Sequence, residues 1–251
     1  MDHELDFKLI KPDHSISHFV ESFWLLQNRS ESDKTIVVLP DGRVELTISQ
    51  SAIEPFHIVL SGLETHAGQA TLAGKTVIFA ISFKLLATEY LFHNTISGFL
   101  NHAAILPGDF WDFNANDLLD FDLFCKKATD QIQKLLPIAT DDRKQKLFDL
   151  IYASKGALTI KGLSENLHWS SRQINRYFNQ QFGLSLKTYC SILRFRESLE
   201  HVAHGKLFPE LNFTDQSHFI KEIKKFSGVV PKELLKNKND RFIQLSLLGS
   251  K

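Results

Sequence analysis

Apolar and polar positions alternate over the first third of the chain and then change to a spacing of three or four. In residues 43–48, Val44, Leu46 and Ile48 alternate with Arg43, Glu45 and Thr47, which predicts a half-buried strand. A β-branched run at 35–39 precedes it, and Pro40-Asp41-Gly42 between the two predicts a hairpin or tight corner. Similar runs predict strands at 18–27, 56–60 and 76–83, with a short one at 69–73 between Gly68 and Gly74. A series of short strands from residue 15 to 83, with little helix, points to a barrel or sandwich.

Beyond Phe83 the helical period takes over. Residues 85–92 predict a short helix, and Leu106-Pro107-Gly108-Asp109 predicts a turn. Leu118, Phe121, Cys125, Ala128, Ile132 and Leu135 form an amphipathic stripe ending at Pro137, and another helix is expected over 142–153. These helices either pack on the barrel, join two parts of the protein or carry a dimer contact.

The stretch 158–235 carries the most chemistry. Leu158, Ile160, Leu163 and Leu167 form an apolar set, after which Ser170-Ser171-Arg172-Gln173 has the form of a capping box that starts a new helix. In that helix Ile174 and Phe178 share a buried face, leaving Ser171, Arg172, Asn175, Arg176 and Asn179 to project elsewhere. This outward set holds no acid. Its arginines can bond guanine bidentately and its asparagines adenine. Gly183 then permits the left-handed backbone that ends a helix. Two helices joined by a tight turn, the second rich in Arg and Asn, describe a helix-turn-helix. After a long helix over 186–204 the arrangement recurs. Thr214 is the expected cap, Phe219 and Ile223 the buried pair, and Gln216, Ser217, His218, Ile220 and Lys221 the remaining surface, before Gly228 and Pro231 stop the element.

Charge agrees with this division. The 251 residues carry 29 basic and 29 acidic side chains, but 13 basic against 21 acidic residues lie up to Asp149 and 16 against 8 beyond it. A net −8 followed by a net +8 points to a polyanionic partner for the second part. Cys125 and Cys190 lie far apart without a Cys/His pattern, which argues against a zinc ribbon, a redox pair or a disulfide framework and fits a reducing cytoplasm. The acidic start and the lack of an apolar run near ~18 residues predict a protein neither exported nor embedded in a membrane.

Two blocks resemble a known family: residues 170–183 (SSRQINRYFNQQFG), with Tyr189 and Arg194-Phe195 after them, and 212–231 (NFTDQSHFIKEIKKFSGVVP). Together they resemble the C-terminal DNA-binding domain of AraC/XylS-type bacterial transcription regulators over ~80 residues, the size of a small domain. The resemblance implies two helix-turn-helix units on a linker helix, each presenting a reading helix to successive major grooves of double-stranded DNA. It assigns DNA contact to Ser171, Arg172, Gln173, Asn175, Arg176 and Asn179 in the first unit. In the second it assigns Thr214, Asp215, Gln216, Ser217, His218 and Lys221. Arg176 is the leading base-reading residue, whereas Arg194 reads as a structural, ion-pairing group. Leu186 and Ser198 depart from the family pattern, and the interval from Arg194 to Asn212 is short and contains Gly205 and Pro209. The first helix of the second unit is therefore expected to be truncated or replaced by a loop.

The N-terminal part resembles an uncharacterised domain that precedes such tails, chiefly through Leu39-Pro40-Asp41-Gly42. In this family the preceding domain commonly binds an effector or mediates dimerisation. The expected architecture is α+β in two domains. Residues 1–140 form an N-terminal β-barrel, cupin-like, with flanking helices, acting in sensing or dimerisation. Residues 141–251 form an all-α domain of two helix-turn-helix units joined by a linker helix. The expected function is a cytoplasmic, sequence-specific transcription regulator responding to an unidentified small-molecule effector. RNA polymerase would be a partner if it activates, and a homodimer is a further expectation.

Two alternatives stand beside it. One is a ligand-binding or protein-interaction module with a degenerate DNA-binding tail. The other is a cupin-type metalloenzyme, which His57, His66, His93 and His102 support poorly, because none forms a His-x-His pair followed by Glu. No GxSxG elbow, P-loop or GxGxxG turn occurs, so no catalytic residue, metal or cofactor is expected. Phe19, Phe23, Trp24, Phe79 and Phe83 either line an effector pocket or form plain core, and Arg43 and Glu45 face either a polar ligand or water.

Overall fold

The computed structural model describes residues 4–92, 95–208, 213, 215–238 and 241–248. The N-terminal region is antiparallel. Strands β1 (Leu5–Ile10), β2 (Val20–Asn28), β7 (Val77–Phe83), β4 (Val44–Gln50), β5 (His57–Ser61) and β8 (Ala103–Leu106) form a six-stranded sheet in the order β1-β2-β7-β4-β5-β8. Strands β3 (Lys34–Val38) and β6 (Gly68–Leu72) pair as a separate ribbon. The expected closed barrel is corrected: β1 and β8 are opposite edges of an open sheet, and the ribbon strands pair with each other instead of bridging those edges. The segment Pro40-Asp41-Gly42 is a corner and not a hairpin, because β3 pairs with β6 while β4 pairs with β5 and β7.

Register assigns the two faces of the sheet. Phe23 lies opposite Ile81, and Ile81 opposite Leu46; Leu25, Phe79 and Ile48 form the next row on the same face. Helix α2 (Phe121–Leu135) covers this face, with Phe121 and Phe124 placed 5.0 and 5.5 Å from the Phe79 ring and Phe124 6.4 Å from Phe23. Edge-on aromatic contacts of this kind add to the area they bury. Phe23, Phe79 and Phe83 are packed core, whereas Phe19, also largely buried, borders an open cleft. On the opposite face Leu26 packs with Ile36 and Leu72 of the ribbon.

Local capping sets the helix boundaries. Helix α2 starts at Phe121 and not at Leu118, because the Asp120 carboxylate accepts the Asp122 and Leu123 N–H groups. Helices α1 (Leu85–Leu91), α3 (Asp142–Ala153), α4 (Ile160–Leu167), α5 (Ser171–Phe182), α6 (Leu186–Ala203), α7 (Gln216–Ser227), α8 (Pro231–Lys236) and α9 (Ile243–Leu248) complete the described elements. Strands β1 and β8 and helix α9 were not anticipated. Helix α9 returns to the ribbon: the Val37 N–H donates to the Arg241 carbonyl at 2.6 Å, and Gln244 bonds both the N–H and the carbonyl of Leu39. Sheet, α2 and the C-terminal helices share one continuous buried cluster.

Candidate nucleic-acid interface

Helix α4 begins where Thr159 Oγ1 accepts the Gly162 N–H, and it buries Leu163 and Leu167. It stops at His168, whose backbone is left-handed at φ 51°, so the chain turns within three residues into α5. There Ser170 Oγ accepts the Gln173 N–H at 3.2 Å while Gln173 Oε1 accepts the Ser170 N–H at 3.0 Å, the reciprocal pair its spacing predicted. Ile174, Tyr177, Phe178 and Phe182 form the buried stripe; Phe178 and Phe182 lie 5.8 and 5.9 Å from Phe148 of α3. Gly183 closes the helix at φ 74°.

That stripe leaves Arg172, Gln173, Arg176 and Asn179 exposed and Ser171 and Asn175 half-buried. Arg172 and Arg176 have no ion-pair or hydrogen-bond partner among the described residues, which leaves both guanidinium forks free. The amides are engaged along the helix. Gln173 belongs to the cap, Asn175 Nδ2 donates to the Ser171 carbonyl at 3.0 Å, and Asn179 Nδ2 donates to the Asn175 carbonyl at 2.9 Å. Each asparagine keeps its second Nδ2 hydrogen and its Oδ1 for a base edge.

Helix α7 repeats the outline with a different surface. Asp215, not Thr214, caps it by accepting the His218 N–H at 2.8 Å; Thr214 lies outside the described residues. Gln216, Ser217 and Lys221 are exposed. His218 is half-buried, with its ring 5.7 Å from Phe213. The inner stripe is Phe219, Ile223 and Phe226, the last 5.2 Å from Phe195 of α6. Among the described residues between α6 and α7 none is α-helical, and residues 209–212 and 214 lie outside the described residues. Arg194 is structural, but it bonds the Gly156 carbonyl at 2.6 Å and Ser191 Oγ at 2.8 Å where an ion pair was expected. Leu186 and Ser198 are buried in α6, the latter donating to the Phe195 carbonyl.

Besides the contacts of α9 with the strands, two ties link α5 and α6 to the N-terminal region. At the far end of α5, the Ile96 N–H donates to the Gln181 carbonyl at 2.9 Å, and the Tyr177 hydroxyl donates to Glu89, which also pairs with Lys144. Burial and the neighbouring Glu89 carboxylate push the Tyr177 hydroxyl far above its ordinary range. The second tie joins α6 to the Pro40-Asp41-Gly42 corner. Gly42 sits at φ 74° with Leu193 and Tyr189 atoms 3.1 Å from where a Cβ would stand, and the Tyr189 hydroxyl donates to the Gly42 carbonyl at 3.1 Å. Beside it the Arg43 guanidinium lies over the Tyr152 ring and pairs with Glu21 at 3.1 Å. Lys11 and Arg196 complete the surround of Glu21 at 3.1 and 3.3 Å. Burial opposes ionisation of Glu21, but Arg43, then Arg196 and Lys11, outweigh it and hold the carboxyl far below its usual range.

The corner is legible in the sequence but its contact with α6 is not, because Gly42 and Tyr189 stand 147 residues apart. The Arg43–Glu45 question also resolves. Arg43 turns to Glu21 and Tyr189, while Glu45 accepts the Trp24 indole N–H at 3.0 Å and the Ser82 hydroxyl. Desolvation, then the Asp41 charge, push the Glu45 carboxyl up to about 8.

An open cleft of about 430 Å³ lies between the segment after β1, the end of α2 and the start of α3, lined by His18, Phe19, Gln133, Pro137 and Thr140 among others. His57 is held by Ser49 Oγ at 3.0 Å and the Pro55 carbonyl at 2.9 Å; His93 lies outside the described residues. Among the described residues no three His, Cys, Asp or Glu side chains group as a metal site, and no helix is long and apolar enough to cross a membrane.

Residues 8–104 match a family model described as a domain of unknown function, DUF6597. No curated protein matches the chain in sequence. Among solved structures, the chain is similar to ToxT from Vibrio cholerae. An apo ToxT variant from strain SCE256 aligns at 13% identity and a TM-score of 0.47, covering 90% of this chain and 99% of that one. A ToxT structure from strain O395 bound to (E)-4-(8-methylnaphthalen-1-yl)but-3-enoic acid aligns at 12% identity and a TM-score of 0.46, covering 92% and 97%.

Proposed function

We propose that the chain is a sequence-specific DNA-binding transcription regulator of AraC type, with a sensing part up to about residue 140 and a DNA-binding part beyond it. The observation that carries this reading is α5: a capped helix after a three-residue turn from α4, buried on one side and presenting two unpaired arginines and no acid on the other. A helix of ~10–12 Å diameter fits the major groove, and Arg forks match guanine O6 and N7 there. Lys221, Lys224 and Lys225 of α7 add the phosphate attraction that makes such binding salt-dependent. The net +8 beyond Asp149 supports the same reading. The sensing part would pass its state to α5 and α6 through Glu89–Tyr177 and Glu21–Arg196, two of the contacts that join the two regions.

A second reading has one observation in its favour: α7 lacks a preceding helix among the described residues, as a protein-interaction module with a degenerate tail would. Selection of random duplexes by the whole chain separates the two. An enriched motif supports the regulator, and retention of duplexes without enrichment supports the degenerate tail.

A further inference from the structure

Helices α5 and α7 can be compared position by position. Each has 12 residues, starts after a side-chain N-cap and ends at a left-handed glycine, Gly183 or Gly228. Counted from the first residue, Ile174 and Phe178 of α5 correspond to Phe219 and Ile223 of α7, the inward pairs of both. The outward positions then correspond as Arg172 with Ser217, Asn175 with Ile220 and Arg176 with Lys221.

The difference at the fifth position is chemical. Ser217, Ile220, Lys221 and Lys224 recur at the three-to-four spacing of one helical stripe, opposite Phe219, Ile223 and Phe226. Ile220 is 36% exposed in the middle of that stripe, an apolar side chain among hydroxyl and ammonium groups. The lysines complement a polyanion, so the stripe suits the same duplex that α5 would engage. On the floor of the major groove the base edges present hydrogen-bond donors and acceptors, and the one bulky apolar group among them is the C5-methyl of thymine.

Resting on the regulator reading above, we infer that Ile220 of α7 reads a pyrimidine C5-methyl in the major groove while Lys221 and Lys224 hold the flanking phosphates. Thymine carries this methyl, and so does 5-methylcytosine. The recognised site is therefore asymmetric: the α5 half is read through Arg and Asn hydrogen bonds, and the α7 half through one apolar contact.

The test uses the full chain and the duplex enriched by the wild-type protein. Each thymine is replaced singly by uracil, which removes only the methyl, and binding is compared for wild type and Ile220→Ala. At one thymine the wild type should lose about fourfold in affinity, the worth of one buried methyl-sized group, and Ile220→Ala should lose nothing. At the same step, a 5-methylcytosine·guanine pair should bind the wild type more tightly than an unmethylated cytosine·guanine pair, with no such gain in Ile220→Ala. Equal responses of the two proteins at every position would overturn the assignment and leave the regulator reading intact. Failure to enrich any duplex would sink both.

Discussion

Glu21→Gln tests the junction between the sheet and α6. The substitution keeps the shape of the side chain and removes the charge that Lys11, Arg43 and Arg196 surround. The Arg43 side chain is only 4% exposed, so its guanidinium is left as an uncompensated buried charge. Breaking a fully buried pair costs ~3–5 kcal/mol. Glu21 keeps 17% exposure, and Arg43 retains the Gly42 carbonyl and the Tyr189 hydroxyl, so the expected loss is about 2–4 kcal/mol. The pH dependence follows from the direction of the shift. A carboxyl held below its unfolded value of 4.5 contributes stability that is fully present above that pH and lost as pH falls toward the folded value. The difference between wild type and Glu21→Gln should thus be largest near neutrality and shrink by up to ~1.4 kcal/mol per pH unit below about 4.5. Urea unfolding of both proteins across that range measures it. A difference under ~1 kcal/mol at neutral pH, or one that stays constant on acidification, would refute the junction as described.

Other perturbations reach different parts of the molecule. Gly183→Ala places a Cβ 2.8 Å from the Ser97 carbonyl oxygen at a left-handed backbone, and thermal unfolding should show a loss of about 1–3 kcal/mol. The Glu45 carboxyl, pushed up to about 8, binds a proton in the folded state that the unfolded chain releases above 4.5, so wild-type stability should decline between those pH values. Glu45→Gln should flatten that decline in a urea-midpoint series; an unchanged slope would rule Glu45 out as its source. Arg176→Ala should weaken binding to the enriched duplex by about 1–3 kcal/mol while hardly affecting random duplexes, and equal loss on both would make Arg176 a phosphate contact.

The parts of the fold that were legible in the sequence are those fixed by neighbouring residues. Ser170 with Gln173 and the glycine at 183 bracket α5 within the chain's own local chemistry, and the alternation of Val44, Leu46 and Ile48 identifies β4 and its buried face. Strands β1 and β8 escaped because they are edges. Asp6 and Lys8 in the first, and the four-residue Ala-rich run of the second, carry little of the β-branched signal that interior strands show. The barrel expectation failed for a related reason. Strand spacing does not say which strand lies beside which, and here β3 chose β6. In the candidate interface, burial and exposure along α5 followed from its period, but the amide bonds that occupy Gln173, Asn175 and Asn179 did not. The contact of His218 with Phe213 depended on packing and left no local signal in the sequence.

Methylation interference on the enriched duplex tests the central claim most directly, because methylation at guanine N7 blocks the major-groove edge that an arginine fork bonds. The account predicts that N7 methylation at one guanine abolishes binding of the wild-type chain and has little further effect on Arg176→Ala, with a second guanine behaving likewise toward Arg172→Ala. Interference patterns identical in all three proteins would contradict the placement of α5 in the major groove.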